Sequence, residues 1–148
     1  MNRWIFLLHS AATGMMIGVI WFVQIVHYPM FSMVGRDGFA AYEATHSRRT
    51  TVVVAAPMLM ELATGAYLAL RPPPGVPPAA MWAGLGLIGV IWLSTWLLQV
   101  PGHRALEAGF DPRVHRALVG TNWIRTVAWT ARGILLLVVL GRVLAGAG

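Results

Sequence analysis

Between Trp4 and Gly35 the chain carries no Arg, Asp or Glu, and it contains no Lys anywhere. A charge-free run of that length exceeds the roughly 20 residues that a helix needs to cross a bilayer. It also exceeds the apolar core of a secretory signal, about 7–15 residues, so the run after Asn2-Arg3 reads as a retained helix. Three more apolar stretches follow: Thr50 to Leu70, broken only by Glu61; Ala79 to Gly102, with no formal charge; and about Leu118 to Leu140, which carries Arg125 and Arg132. Charged residues make up 11% of the chain, against roughly 25% in a soluble domain, which rules out a conventional water-soluble globule. The absence of Cys excludes disulfides, thiolate metal sites and Cys nucleophiles. At 148 residues there is no room for a separate nucleotide-binding domain.

The expected fold is all-α: a polytopic membrane protein, one transmembrane domain over 1-148, built as an up-down-up-down four-helix bundle. The helices are expected at about 3-33, 38-71, 79-103 and 112-143. Five prolines between Pro72 and Pro78 enforce a short stiff turn between the second and third. Asp111-Pro112 predicts an N-cap with proline at the first helical position, and Asp37-Gly38 is expected to start the second helix in the same way. Arg36, Arg48, Arg49, Arg104, Arg113, Arg116 and Arg125 lie on the side of loops one and three, with Arg3, Arg71 and Arg142 on the other. That asymmetry places the loops around Val34–Thr45 and Arg104–Val119 in the cytoplasm of a bacterial inner membrane, with both termini outside. The arginines are dispersed over membrane-flanking turns, which argues against nucleic acid as a partner.

Thr45-His46-Ser47-Arg48-Arg49-Thr50 resembles Thr121-Asn122-Trp123-Ile124-Arg125-Thr126, and the same offset of 76 carries His27 onto His103. This predicts two repeated helical hairpins, with His27 facing His103 at one depth and Arg49 paired by symmetry with Arg125. Polar residues recur at helical spacing: His9, Thr13, Gln24 and His27 on the first helix; Thr95, Gln99 and His103 on the third; Asn122, Arg125, Trp129 and Arg132 on the fourth. Such stripes either join helices by hydrogen bonds or line a site. Glu61 and Arg132 fall within about one turn of the same depth at 1.5 Å per residue. An isolated charge there costs at least about 2.5–3.5 kcal/mol, so a buried ion pair is expected, with a proton-relay role as the functional alternative.

His27, His46, His103 and His115 gather at the loop-one and loop-three end, and neutral imidazole is a common metal ligand. No HExxH or HxxxH occurs, and the sequential metal signatures are read as missing. Two cofactors suit the set, with none as the third choice. One is a haem between His27 and His103, with Arg49 and Arg125 on its propionates. The other is non-haem iron or copper on three histidines plus Glu43, Glu107 or water. His46 and His115 have an interfacial reading as well. Trp21, Trp92, Trp96, Trp123 and Trp129 either line a pocket for a flat apolar molecule or form interfacial belts and packing. Ser47 and Ser94 lack a nucleophile-elbow context, and Gly14, Gly18, Gly84, Gly86 and Gly89 read as close helix packing.

Val100-Pro101-Gly102-His103-Arg104-Ala105-Leu106 together with Asn122-Trp123-Ile124-Arg125-Thr126 resembles the anthrone-oxygenase-like group of small four-helix membrane proteins. The match covers about 30 residues and the helix count, and that group more often has Asn at the position of His103. The resemblance implies Asn122 and Arg125 as site residues and oxygenation of an apolar aromatic substrate. Two functions therefore stand. One is an integral membrane oxidoreductase or oxygenase acting on an apolar small molecule, with a His/Arg-lined site in the cytoplasmic half. The other is a non-catalytic membrane protein, either a small-molecule carrier, for which so narrow a bundle would need a homo-oligomer, or an assembly subunit.

Overall fold

The computed structural model describes residues 3–145. The outermost ends of the expected 1–148 domain, Met1–Asn2 and Gly146–Gly148, and the side chain of Arg3 lie outside the described residues. Helix α1 (Arg3–Phe22) continues through a π-helical turn (Val23–His27) and a 3-10 turn (Pro29–Met33). Helix α2 (Arg36–Leu70) follows. The third span joins α3 (Pro78–Ser94), a π-helical turn (Thr95–Gln99) and α4 (Val100–Glu107); the fourth is α5 (Pro112–Ala145). These make four helices long and apolar enough to cross a membrane, and there is no strand among the described residues. Large apolar side chains such as Leu7, Phe22, Val52, Leu93 and Leu137 stand exposed on the outer faces, the arrangement a hydrocarbon solvent favours.

Each span packs on the next and the first packs on the fourth, while diagonally opposite spans share no backbone contact. The bundle is therefore a closed ring of four. Its core has three tiers: Phe6, Leu68, Val76, Met81 and Val139 at the loop-two end; Met16, Ile20, Met58, Ile91 and Trp129 in the middle; and Tyr28, Phe31, Phe39, Leu106 and Leu118 at the loop-one and loop-three end. In loop two Gly75 has φ +75, a left-handed conformation that glycine adopts without Cβ strain, and it closes the proline turn.

Helix boundaries depart from expectation at two places. Helix α2 begins at Arg36 behind Gly35, which has no side-chain cap; Asp37 lies inside the first turn, where its charge suits the helix dipole. The third span runs on to Glu107 although Pro101 lies within it. The widened turn at Thr95–Gln99 precedes that proline and shifts the hydrogen-bond register, with Val100 N–H donating back to Thr95 O. Loops one and three are consequently two to four residues long, and most of Val34–Thr45 and Arg104–Val119 is helix. At the start of α5 the Asp111 carboxylate accepts from the backbone N–H of Arg113 (2.6 Å) and Val114 (3.2 Å), the cap that its sequence predicts.

The repeat is only partly structural. Each π turn is followed at the same interval by a proline, Pro29 after Val23–His27 and Pro101 after Thr95–Gln99. That backbone correspondence has an offset of 72 (Val23 to Thr95), whereas the sequence correspondence has 76. The two differ by one helical turn, so His27 closes its π turn while His103 stands a turn beyond its own.

Candidate functional site

Two polar clusters interrupt the apolar tiers. The first crosses the middle of the bundle. Glu61 is 2% exposed and accepts from Thr13 Oγ1 (2.7 Å), Trp129 Nε1 (2.9 Å) and Arg132 Nη2 (2.9 Å). Arg132 also donates to Thr13 Oγ1 (3.1 Å) and, through Nη1, to the Gly84 carbonyl (3.0 Å). His9 Nε2 lies 3.3 Å from Arg132 Nη2, and its Nδ1 lies 2.8 Å from Thr64 Oγ1. Every span contributes, and the Glu61–Arg132 contact joins α2 to α5 across a diagonal that the backbones do not close. A charge pair so thoroughly hydrogen-bonded meets the condition under which burial of both partners is tolerated.

The second cluster lies at the loop-one and loop-three end. Glu43 on α2 is fully buried. His103 Nδ1 donates to Glu43 Oε1 at 2.5 Å, and Ser47 Oγ donates to the same oxygen at 3.3 Å. With its Nδ1 proton committed to a carboxylate, His103 presents Nε2 as an acceptor, and the Tyr28 hydroxyl donates to it at 2.8 Å. The result is a hydroxyl–imidazole–carboxylate relay drawn from three spans, with the imidazole held as in hydrolase triads. Arg125, buried on α5, stands beside the Tyr28 hydroxyl and lies 5.5 Å from the centroid of the Trp129 ring.

His27 Nε2 pairs with His46 Nδ1 (2.9 Å), and Thr50 Oγ1 lies 3.2 Å from the same His46 nitrogen. The His46 ring occupies the space between His27 and His103, with centroid separations of 4.7 and 5.4 Å. The expected face-to-face arrangement of His27 and His103 is thus corrected: they approach His46 from two sides. A haem between them does not fit, because a porphyrin would need the volume that the His46 ring fills. The four-histidine metal set is corrected too. His115 donates Nε2–H to the Tyr28 carbonyl (2.7 Å) and stacks on Phe31, so it anchors the backbone of the relay. Among the described residues no group of three or more His, Asp or Glu converges on one point. Among the buried side-chain atoms without a hydrogen-bond partner are His46 Nε2 and Glu43 Oε2, both able to ligate a metal. They belong to Glu43-Ala44-Thr45-His46, a Glu-x-x-His pair one turn apart on α2, which corrects the view that sequential metal signatures are missing.

Two cavities flank His46. The larger, about 710 Å³, lies between the first span and α2 and is lined by Gly18, Val19, Phe22 and Val53 at one end and by His27, His46, Arg49 and Thr50 at the other. The smaller, about 240 Å³, lies between α2 and the third and fourth spans and carries Tyr28, His103, Arg104, Glu107 and Arg125. His46, Thr50 and Val54, successive turns of α2, line both and form the wall between them. Arg49 and Arg125 therefore do not form a symmetric pair: Arg49 is exposed in the larger cavity and Arg125 buried in the smaller. Asn122 lines neither; it is fully buried and donates Nδ2–H to Gln24 Oε1 (2.9 Å), which also accepts from Thr126. The Trp residues do not share a pocket. Trp129 is buried on Glu61, while Trp21, Trp96 and Trp123 are exposed. Of the five glycines expected at close helix contacts, only Gly84 has a neighbour, Leu135, where a Cβ would stand; Gly65, Gly102 and Gly133 are the tight positions.

Sequence reasoning missed Tyr28, Glu43 as the partner of His103, and His9 as a member of the Glu61–Arg132 cluster. The signals were present: Tyr28 adjoins His27, Glu43 precedes His46 by one turn, and His9 and Thr13 share a stripe. No known protein family matches the chain, and no curated protein or solved structure is similar to it, so the chemistry of these residues carries the functional reading.

Proposed function

We propose that this chain is an integral membrane oxidoreductase or oxygenase that acts on an apolar, aromatic small molecule. The reading rests on one observation: the Tyr28–His103–Glu43 relay, with Arg125 at its hydroxyl, lines a cavity one helix wall away from a large apolar groove. A buried carboxylate orients the His103 ring and fixes its tautomer, leaving Nε2 to accept from Tyr28. Tyr28 then serves as the proton-transferring group, and the Arg125 guanidinium stabilises the oxyanion of an enolised substrate. With molecular oxygen as oxidant, a substrate methylene loses its protons through this relay. Its carbon passes electrons to dioxygen, one oxygen atom stays as a carbonyl, and the other leaves as water. The weak resemblance to anthrone-oxygenase-like proteins suggests this type of substrate, with Arg125 at the site and Asn122 positioning Gln24 and Thr126 beneath it.

The cofactor-free form suits the geometry best, since all four candidate imidazoles already spend at least one ring nitrogen on one another or on Tyr28 and Glu43. A non-haem iron or copper ion would be held by Glu43 Oε2 and His46 Nε2, both buried without a hydrogen-bond partner, and would supply oxygen activation there. The arginine asymmetry supports a bacterial inner membrane with loops one and three cytoplasmic.

Purified protein tests the proposal by oxygen uptake with a hydroxyanthrone-type substrate, beside metal analysis and an absorption spectrum. Uptake that persists without metal and disappears in Tyr28→Phe and His103→Ala supports the cofactor-free oxygenase. A Soret band, or activity that tracks iron or copper content, overturns the cofactor-free form. One observation favours a non-catalytic carrier or subunit, either of which would work as a homo-oligomer: the second cluster's hydrogen bonds also join three spans, as structural polar seams do. Absence of uptake with any apolar aromatic, together with loss of folding in Tyr28→Phe, would select that reading.

A further inference from the structure

The larger cavity has a polarity gradient. Its inner end is walled by Gly18, Val19 and Val53, and its outer end by His27, Arg49 and Thr50. A Cβ on Gly18 would meet nothing within 4 Å, so this glycine leaves the inner end open. At the outer end Arg49 is exposed on the wall of an apolar groove and has no ion-pair partner among the described residues. Four of the five acidic side chains are committed or elsewhere: Glu43 to His103, Glu61 to Arg132, and Asp111 and Glu107 at the third loop, with Glu107 lining the smaller cavity. Asp37 stands in the first turn of α2, three turns before Arg49. An unpaired guanidinium at the edge of hydrocarbon calls for an anionic oxygen, and its planar fork matches a carboxylate at two points.

We infer that this groove binds a lipophilic acid from the bilayer: one apolar chain or ring system lying along Gly18, Val19 and Val53, with its carboxylate on Arg49 and within reach of Thr50. Size supports a single apolar body. A cavity of about 710 Å³ falls in the range of roughly 300–1,000 Å³ that holds one drug-sized ligand, and a two-chain phospholipid exceeds it. Access runs sideways from the membrane, because the groove lies between α1 and α2 on an outer face where Phe22 and Val53 are exposed. The inference deepens the proposed function by giving the apolar ligand an acidic head, and it rests on that reading only in treating this end of the bundle as the ligand site.

The test uses the intact protein in nanodiscs and a diazirine-bearing palmitate as photoprobe, with cross-links mapped by mass spectrometry. Cross-links should fall on α1 and α2 peptides that carry Val19 and Val53, and oleate should compete for them. The methyl ester of the probe should bind roughly tenfold more weakly, as should the acid to Arg49→Gln, since both remove one charge-assisted contact. Gly18→Leu fills the inner end and raises helix propensity, so the fold is kept while cross-linking in the groove is lost. Competition by lysophosphatidylglycerol equal to that by oleate would assign the head to a phosphate and overturn the carboxylate. Ester and acid that label alike, unchanged binding by Arg49→Gln, or labels scattered over all lipid-facing helices would overturn the site. Oxygen uptake measured on the unaltered protein keeps the two ideas apart: turnover of a neutral aromatic substrate by protein that binds no acid refutes this inference and leaves the oxygenase standing.

Discussion

The two polar clusters use the same ingredients to different ends. At mid-bundle, Glu61 and Arg132 are each more than nine-tenths buried and almost fully hydrogen-bonded; only Arg132 Nε lacks a partner. At the loop end, Glu43 is equally buried, yet its second oxygen, His46 Nε2 and Arg125 Nε all lack partners, and cavities adjoin. The first cluster meets a cavity of only about 30 Å³ at His9 and Arg132 and an apolar groove at Thr13, and its hydrogen bonds join all four spans. The second keeps donors and acceptors unspent in the low dielectric where each unmet group is costly. A membrane bundle this small gains nothing structural from loose polar atoms, and that contrast is why the site is placed at the loop end.

The largest expected effect tests the mid-bundle cluster. Glu61→Gln leaves Arg132 charged and unpaired, and a loss of about 3–5 kcal/mol in unfolding free energy is expected. Replacing both residues by neutral side chains should recover much of that loss, as read by thermal unfolding in detergent. Losses that simply add would break the assignment of this cluster as a structural clasp. The next effect sharpens the loop end. Tyr28→Phe removes one hydroxyl and should lower stability by only about 1 kcal/mol, yet abolish turnover, because His103 and Glu43 stay in place without the group that passes the proton. Equal losses of stability and turnover would make this cluster a second clasp.

A smaller effect is expected from packing. An alanine Cβ at Gly133 would stand 2.5 Å from Ile17 Cδ1, and one at Gly65 would stand 2.6 Å from Ile88 Cδ1. Each clash is with the end of a side chain that can turn, so a cost of about 1 kcal/mol is expected, at the low end for overpacked cores. Gly18→Ala, with open space around it, should be neutral or stabilising in the same measurement. The smallest effect lies outside both clusters. Two backbone N–H bonds hold the Asp111 carboxyl below the usual carboxylate range. The folded-state value is depressed, so its contribution to α5 is present above the ordinary carboxylate pKa and fades as pH falls through the lowered one. Asp111→Asn, which can still cap, should flatten that part of the stability–pH curve without moving the neutral-pH unfolding midpoint.

Four spans, their order and the proline turn follow from residue type alone, because a bilayer allows little besides helices once apolar runs exceed its thickness. The depth of Glu61 and Arg132 is legible for the same reason: helical rise is fixed, so residue number becomes height. Which side chains meet at one height is another matter. His27, His46 and His103 could be placed at one end of the bundle from sequence, but a single widened turn at Val23–His27 or Thr95–Gln99 rotates everything beyond it relative to the rest of its helix. Those turns set the facing of His27 and His103, while His46 comes between them from the uninterrupted α2. The repeat suggested symmetric His–Arg pairs; instead Arg125 is buried on α5 and Arg49 exposed on α2, as the packing of those two helices decides. Sequence determined how deep each polar group lies, and tertiary packing decided which way it faces, since height depends on rise per residue and facing depends on the summed twist of every turn before it.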